Sequence, residues 1–158
     1  MKIISRFKGS YRFLSNFADS PIEYEGYHYK NVETAYQERK TTDPKRREYI
    51  RASKTASESA RRGRSSKTII RDGWFEGMKG ELMRELVFAK FEQNPELMDQ
   101  LLDTGDAILI EGNYWHDNYF GICNCKECFG KKEQRNILGE ILMEIREKNR
   151  IPDWIKEV

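Results

Sequence analysis

The run from Gly73 to Glu92 constrains this chain more than any other stretch. Phe75, Met78, Leu82, Leu86 and Ala89 recur at three- and four-residue intervals, and Met83 and Val87 widen the stripe. That spacing places apolar side chains along one face of an α-helix, whereas a strand would alternate them. Asp72 stands where an N-cap is expected. A stripe of this length has to be covered by other elements, and two more helices offer apolar faces. Asn94-Pro95 opens one, with Leu97, Met98, Leu101 and Leu102 inward and Thr104-Gly105 at its end. The last, about residues 136 to 148, buries Ile137, Leu138, Ile141, Leu142 and Ile145.

Shorter helices are marked by their caps. Asn31 precedes a helix opening at Val32, Asp43-Pro44 a second starting near Lys45, and Thr55-Ala56-Ser57-Glu58 has capping-box spacing, with Gly63 expected to close that helix. Strand signals are few. Ile3 to Phe7 alternates, Ala107 to Ile110 is a short apolar run, and Ile22 to Tyr29 alternates around Glu25-Gly26, where glycine suits a tight hairpin. No repeat or linker interrupts the chain. The expectation is one α+β domain over residues 1–158, mostly helical with a small sheet or hairpin. Residues 111 to 134 read as irregular, polar and aromatic, and so long a loop in a compact domain is usually functional.

The formal charge is +2, too small to name a partner. Between Lys45 and Arg71, however, lie ten basic residues and only two acids, Glu48 and Glu58. Such a block suits phosphates, nucleotides or nucleic acid, and it equally suits a solvated helix face. No apolar run approaches the ~18 residues of a membrane span, and the N-terminus reads as no secretory signal. The three cysteines are odd in number and crowded together, which is unlike a secreted disulfide framework and points to a reducing cytoplasm.

Several constellations can carry chemistry. Glu33, Tyr36, Gln37 and Lys40 share one side of the helix opening at Val32. A carboxylate in a first helical turn is favoured by the helix dipole by about 0.3–1 kcal/mol, so spacing alone leaves open whether Glu33 is a cap-side acid or a catalytic one. Ser15-Asn16, between Phe13-Leu14 and Phe17, is a polar pair in bulky apolar company, able to turn the chain or bind a ribose or base. Trp115-His116-Asp117-Asn118-Tyr119-Phe120 combines aromatics that stack on bases with an acid that can hold ribose hydroxyls; the alternative is the rim of a hydrophobic core. Cys123, Cys125 and Cys128 supply three thiols for a tetrahedral site, and His116 can be the fourth ligand; the alternative is reduced thiols packed in a loop. No Ser-His-Asp order is defensible, and Gly63-Arg64-Ser65-Ser66-Lys67 lacks the spacing of a phosphate-cradling loop.

Taken in order, the segments FLSNF at 13–17, PIEYEGYHYKNVETAYQERK at 21–40, ARRGR at 60–64, RDGWFEGMKGELMRELVFAKFEQNPEL at 71–97, LLDTGDAILIE at 101–111 and NILGEILMEIRE at 136–147 resemble the NADAR family, the YbiA-like N-glycosidases. The resemblance implies hydrolysis of the bond between a ribose and a base-like nitrogen. Its expected substrates are phosphoribosylamino-pyrimidine intermediates of riboflavin biosynthesis or ADP-ribose on a nucleobase, free or in nucleic acid. It places the family's glutamate on Glu33, its tryptophan on Trp74, its acid and aromatic of the later loop on Asp117 and Phe120, and its Ser-Asn pair on Ser15 and Asn16. Glu33, Asp117 and Trp74 are then the catalytic set. Ser15, Asn16, Tyr36, Gln37 and Phe120 would bind substrate, with Lys40 and Arg71 on its phosphate. This chain departs from the family in Thr34, where His is usual, in Phe120-Gly121, where Trp-Gly is common, and in the cysteine loop. The chemistry needs no cofactor, and the loop would add a structural zinc. The competing class is a non-enzymatic nucleotide or nucleic-acid binding module with a zinc-stabilised loop.

Overall fold

The computed structural model describes residues 1–158, apart from the side chain of Asp153. In chain order the elements are β1 (Ile3–Ile4), a 3-10 helix (Gly9–Leu14), β2 (Ile22–Tyr24), β3 (Tyr27–Tyr29), α1 (Val32–Glu38), α2 (Pro44–Arg51), α3 (Ala56–Arg64), a π-type turn (Trp74–Met78), α4 (Lys79–Gln93), α5 (Pro95–Asp103), β4 (Ile108–Leu109), β5 (Gly112–Asn113), β6 (Ile122–Cys123), α6 (Ile137–Asn149) and α7 (Asp153–Lys156). The architecture is α+β and mainly helical, as expected. It divides into two compact units, Arg12–Asn94 and Met1–Tyr11 with Pro95–Val158.

In the unit Arg12–Asn94, helix α1 lies at the centre. All seven of its residues are buried, and it packs against α2, α3 and α4. Seven residues are too few to hold a helix in water, so packing and capping stabilise it. The Asn31 side chain accepts from Thr34 N at 2.8 Å. The hairpin forms where expected, pairing Ile22 with Tyr29 and Tyr24 with Tyr27, with Glu25 and Gly26 both at positive φ (48° and 84°). The Asp43 and Thr55 caps also form.

Much of the basic block builds this unit. Arg47 and Arg51 pair with the fully buried carboxylate of Glu38 at 3.2 and 2.5 Å. Arg46 donates to Thr68 Oγ1 and to the Arg62 carbonyl, and Arg62 in turn binds Glu58 and the Tyr49 carbonyl.

Four sequence expectations are corrected here. The run 73–92 is not one helix: Gly77 adopts φ 106° and Glu76 ψ 36°, which breaks it into the π-type turn and α4. No side chain caps either piece, so Asp72 is not a cap; Gly73, at φ 81°, leads into the turn. The break turns Phe75 outward (68% exposed), and the buried face of α4 is Met83, Leu86, Val87, Lys90 and Phe91. Gly63 does not close α3, which runs on through Arg64.

In the other unit, β1 and β4 pair in parallel, Ile3 with Ile108, and α6 packs on β4 and α5. Leu138, Ile141, Leu142 and Ile145 fill the core, with Leu101 of α5, while Ile137 is only half-buried. Arg146 is buried among them because its guanidinium donates to Thr104 Oγ1 at 2.9 Å and the Ala107 carbonyl at 2.8 Å. The stretch 111–134 holds one parallel pair, β5 with β6. Among the described residues no helix is long and apolar enough to cross a membrane.

Candidate active site

The site begins where the Ser15-Asn16 turn meets α1. Ser15 Oγ accepts from Phe17 N at 3.1 Å, and the Asn16 carbonyl accepts from Glu33 N at 3.1 Å, which ties the turn to the first turn of the helix. From the other side, the fully buried Lys90 donates to the Ser15 carbonyl at 3.0 Å. The Asn16 amide contacts Met83 Sδ at 3.2 Å, and its Oδ1 is a buried acceptor with no hydrogen-bond partner.

Glu33 is 6% exposed. A carboxylate that only complemented the helix dipole would stand in solvent; one that is buried needs partners. Gln37, one turn on and 2% exposed, donates its Nε2 to Glu33 Oε1 at 2.7 Å. Gln37 is itself held by the shape of α3. A Cβ added at Gly63 would lie 2.1 Å from Gln37 Oε1 and 2.8 Å from Gln37 Cβ. Gly63→Ala should therefore push the Gln37 amide off Glu33, at a cost of about 1–3 kcal/mol for the overpacked contact. Thermal melting and turnover, both lowered, would report it, and Gly63→Ala with Gln37→Ala should recover part of the melting temperature.

Tyr36 and Trp74 stack with centroids 5.1 Å apart at 47°, and Lys40 Nζ lies 5.6 Å from the Tyr36 ring. Trp74 is 2% exposed, brought inward by the turn that breaks the long helix. Burial pushes the Lys40 ammonium down to about 8; the Glu33 charge opposes that shift, and Arg64 and Lys79 reinforce it. Arg71 adjoins through its backbone, its N donating to the Lys40 carbonyl at 2.7 Å. Thr34 turns its hydroxyl to Asn31 Oδ1 and Ser59 Oγ and so serves the packing of α1 on α3.

Asp117 and Phe120 belong to the other unit. Asp117 Oδ1 accepts from Tyr119 N at 3.1 Å and Phe120 N at 2.9 Å, closing a tight turn, while Phe120 packs edge-on against Tyr119 with centroids 4.8 Å apart. In the same loop His116, Cys123, Cys125 and Cys128 bring one ligand atom each to within 4.8 Å of one another, a cluster that could hold a metal ion.

The structure thus brings Ser15, Asn16, Glu33, Tyr36, Gln37, Lys40, Arg71 and Trp74 into one unit, and Asp117, Phe120 and the cysteine loop into the other. Sequence reasoning missed Arg64 and Lys79 beside Lys40, Gly63 behind Gln37, and Lys90 beneath Ser15. Arg64 left a trace as part of the basic block, and Lys90 as a charge on the apolar face of α4 with Leu86 and Val87.

The NADAR domain family matches residues 4–150. N-glycosidase YbiA of Shigella flexneri serotype 5b is 37% identical over 142 residues, covering 87% of this chain and 81% of that protein. A riboflavin biosynthesis protein of Vibrio vulnificus is 33% identical over 140 residues, covering 86% of this chain and 35% of that protein. The NMR structure of the Escherichia coli protein YbiA is similar with a TM-score of 0.77 at 35% identity, covering 99% of this chain and 87% of that one. This chain is an N-glycosyl hydrolase and belongs to the NADAR domain family.

Proposed function

We propose that Glu33 is the carboxylate that drives N-glycosidic hydrolysis here, and that the substrate is a phosphorylated ribosyl compound: a phosphoribosylamino-pyrimidine or an ADP-ribosylated nucleobase. The observation that carries this reading is a buried carboxylate, fixed by an amide and close enough to Lys40 for their charges to be felt. Cleaving a ribosyl C1–N bond develops oxocarbenium charge on the sugar, which a carboxylate beside C1 stabilises while water is activated to attack. Water's oxygen bonds to C1, the C1–N electron pair leaves with the base, and the base nitrogen takes a proton. Lys40 would hold the phosphate, with Arg71 beside it and Arg64 and Lys79 adding positive charge. Tyr36 and Trp74 would form an aromatic wall, and the free acceptor of Asn16, beside Ser15, suits a ribose hydroxyl. Asp117 would orient water or ribose, and Phe120 would stack on the base. One family matches residues on both sides of the division between units, which supports their acting as a single domain. Three free thiols suit a reducing cytoplasm.

The riboflavin biosynthesis protein among the relatives favours the first substrate class. Incubation with a panel of phosphoribosylamino-pyrimidines, ADP-ribosylated nucleotides and ADP-ribosylated oligonucleotides, read by mass spectrometry for free base, tests the proposal. Release from none of them would overturn the substrate assignment.

The Lys40 shift gives a pH signature. Below about 8 the ammonium is charged and binds phosphate; above it the charge is lost, so KM should rise with pH through that value. Lys40→Met should show a high KM at all pH values and no such rise. Stability moves the other way, because the unfolded chain keeps the proton up to 10.5: between about 8 and 10.5 this group's contribution to stability rises with pH. Hydrolysis needs no cofactor, and for the cysteine cluster we assign zinc in a structural role.

A further inference from the structure

We propose that His116, Cys123, Cys125 and Cys128 form a structural zinc centre that clasps the loop carrying Asp117 and Phe120. The four donor atoms, Nδ1 and three Sγ, lie within 4.8 Å of one another. His116 Nδ1 is 3.2 Å from Cys128 Sγ and 3.5 Å from Cys125 Sγ. A tetrahedral zinc with bonds of about 2.3 Å to sulfur and about 2.0 Å to nitrogen needs ligand separations of about 3.5–3.8 Å, so small adjustments suffice. The three thiols are free, and Cys128 N donates to the Cys125 carbonyl at 3.2 Å, folding the Cys-x-x-Cys segment into a turn that directs both sulfurs to one point.

The surroundings suit a charged thiolate centre. His116 N donates to Cys123 Sγ at 3.4 Å and Asn118 Nδ2 to Cys128 Sγ at 3.5 Å. With Nδ1 turned to the sulfurs, His116 Nε2 lies 4.0 Å from Glu127 Oε2, a carboxylate placed to orient the ring, as second partners of metal-bound histidines do. The ring is aimed by a backbone at φ 69°, uncommon for a residue other than glycine. One imidazole and three thiols fill the four positions of a tetrahedral zinc, and a site with four protein ligands fits a structural ion rather than a hydrolytic one.

The clasp has consequences for the loop. Residues 117 to 122 run between the first two ligands. In that segment the Tyr119 and Phe120 carbonyls accept from Ile137 N and Leu138 N, each at 3.0 Å, and so satisfy the first turn of α6, whose Asn136 makes no side-chain cap. An ion at His116 and Cys123 therefore fixes Asp117, Phe120 and the start of α6 together. This inference is independent of Glu33, and its failure would leave the glycosidase assignment standing.

Elemental analysis of the full-length protein, purified reduced and without added metal, should find one zinc per chain. The metal-free wild type titrated with cobalt should develop sulfur-to-cobalt charge-transfer absorption with tetrahedral visible bands, lost in Cys125→Ser and Cys128→Ser. Hydrogen exchange should then speed up in residues 117–123 and at the first turn of α6 on metal removal, with Arg12–Asn94 unchanged. Absence of zinc, iron in its place, or cobalt bound without sulfur charge transfer would overturn the centre. Unchanged exchange in 117–123 after zinc loss would overturn the clasp.

Discussion

Glu33→Gln should lower turnover by about 10²–10⁴-fold while leaving the fold intact. The glutamine keeps the size of the side chain, and its carbonyl oxygen can accept the Gln37 bond that Glu33 Oε1 accepts at 2.7 Å. What it loses is the negative charge proposed to face the oxocarbenium-like sugar. The helix-dipole part of the stability cost is about 0.3–1 kcal/mol, which for a chain of this size lowers the melting temperature by about 4 °C at most. Affinity for a non-hydrolysable ribosyl phosphate should persist, because Lys40 and the aromatic pair are untouched. Turnover at the wild-type rate would rule out Glu33; loss of turnover accompanied by unfolding would show only that this buried position supports the fold.

The second large effect is expected at Trp74. Trp74→Ala should destabilise the unit by about 3–5 kcal/mol, since the indole is 2% exposed and the surrounding structure can collapse only in part around its absence. The melting temperature should fall by about 6–20 °C. The effect should also reach the substrate. Trp74 backs Tyr36 at 5.1 Å, and Tyr36 in turn lies beneath Lys40 Nζ. KM should therefore rise even at temperatures where the variant remains folded. Trp74→Phe, which preserves a ring against Tyr36, should recover most of both losses. A melting temperature within about 1 °C of wild type for Trp74→Ala would contradict the packing described.

How much of this was legible in the sequence depended on whether the cause was local. The caps at Asn31, Asp43 and Thr55 and the hairpin at Glu25-Gly26 are short-range chemistry, and each forms where its residues announce it. The break at Glu76-Gly77 was visible in principle, because glycine inside a helix costs about 1 kcal/mol, and Gly73 precedes the turn while Gly77 lies within it. The apolar period concealed it, and Phe75 was assigned to a core it does not enter. Spacing left the role of Glu33 open and only the family resemblance singled it out; its burial beside Gln37 is a tertiary fact. So is the role of Gly63, which reads locally as a helix terminator and in fact makes room for an amide from another helix. The basic block shows the same limit: Glu38 draws in Arg47 and Arg51, which in sequence look as free to meet an anion as Arg64 does.

Water is proposed to displace the base from ribose C1 under the influence of Glu33. Hydrolysis of a phosphoribosylamino-pyrimidine and an ADP-ribosylated nucleobase in water enriched in heavy oxygen, with wild type and Glu33→Gln side by side, tests it most directly. Wild type should place heavy oxygen on the released sugar and none on the base, and Glu33→Gln should lose nearly all of both products. Label in the base, or equal release from the two proteins, would contradict it.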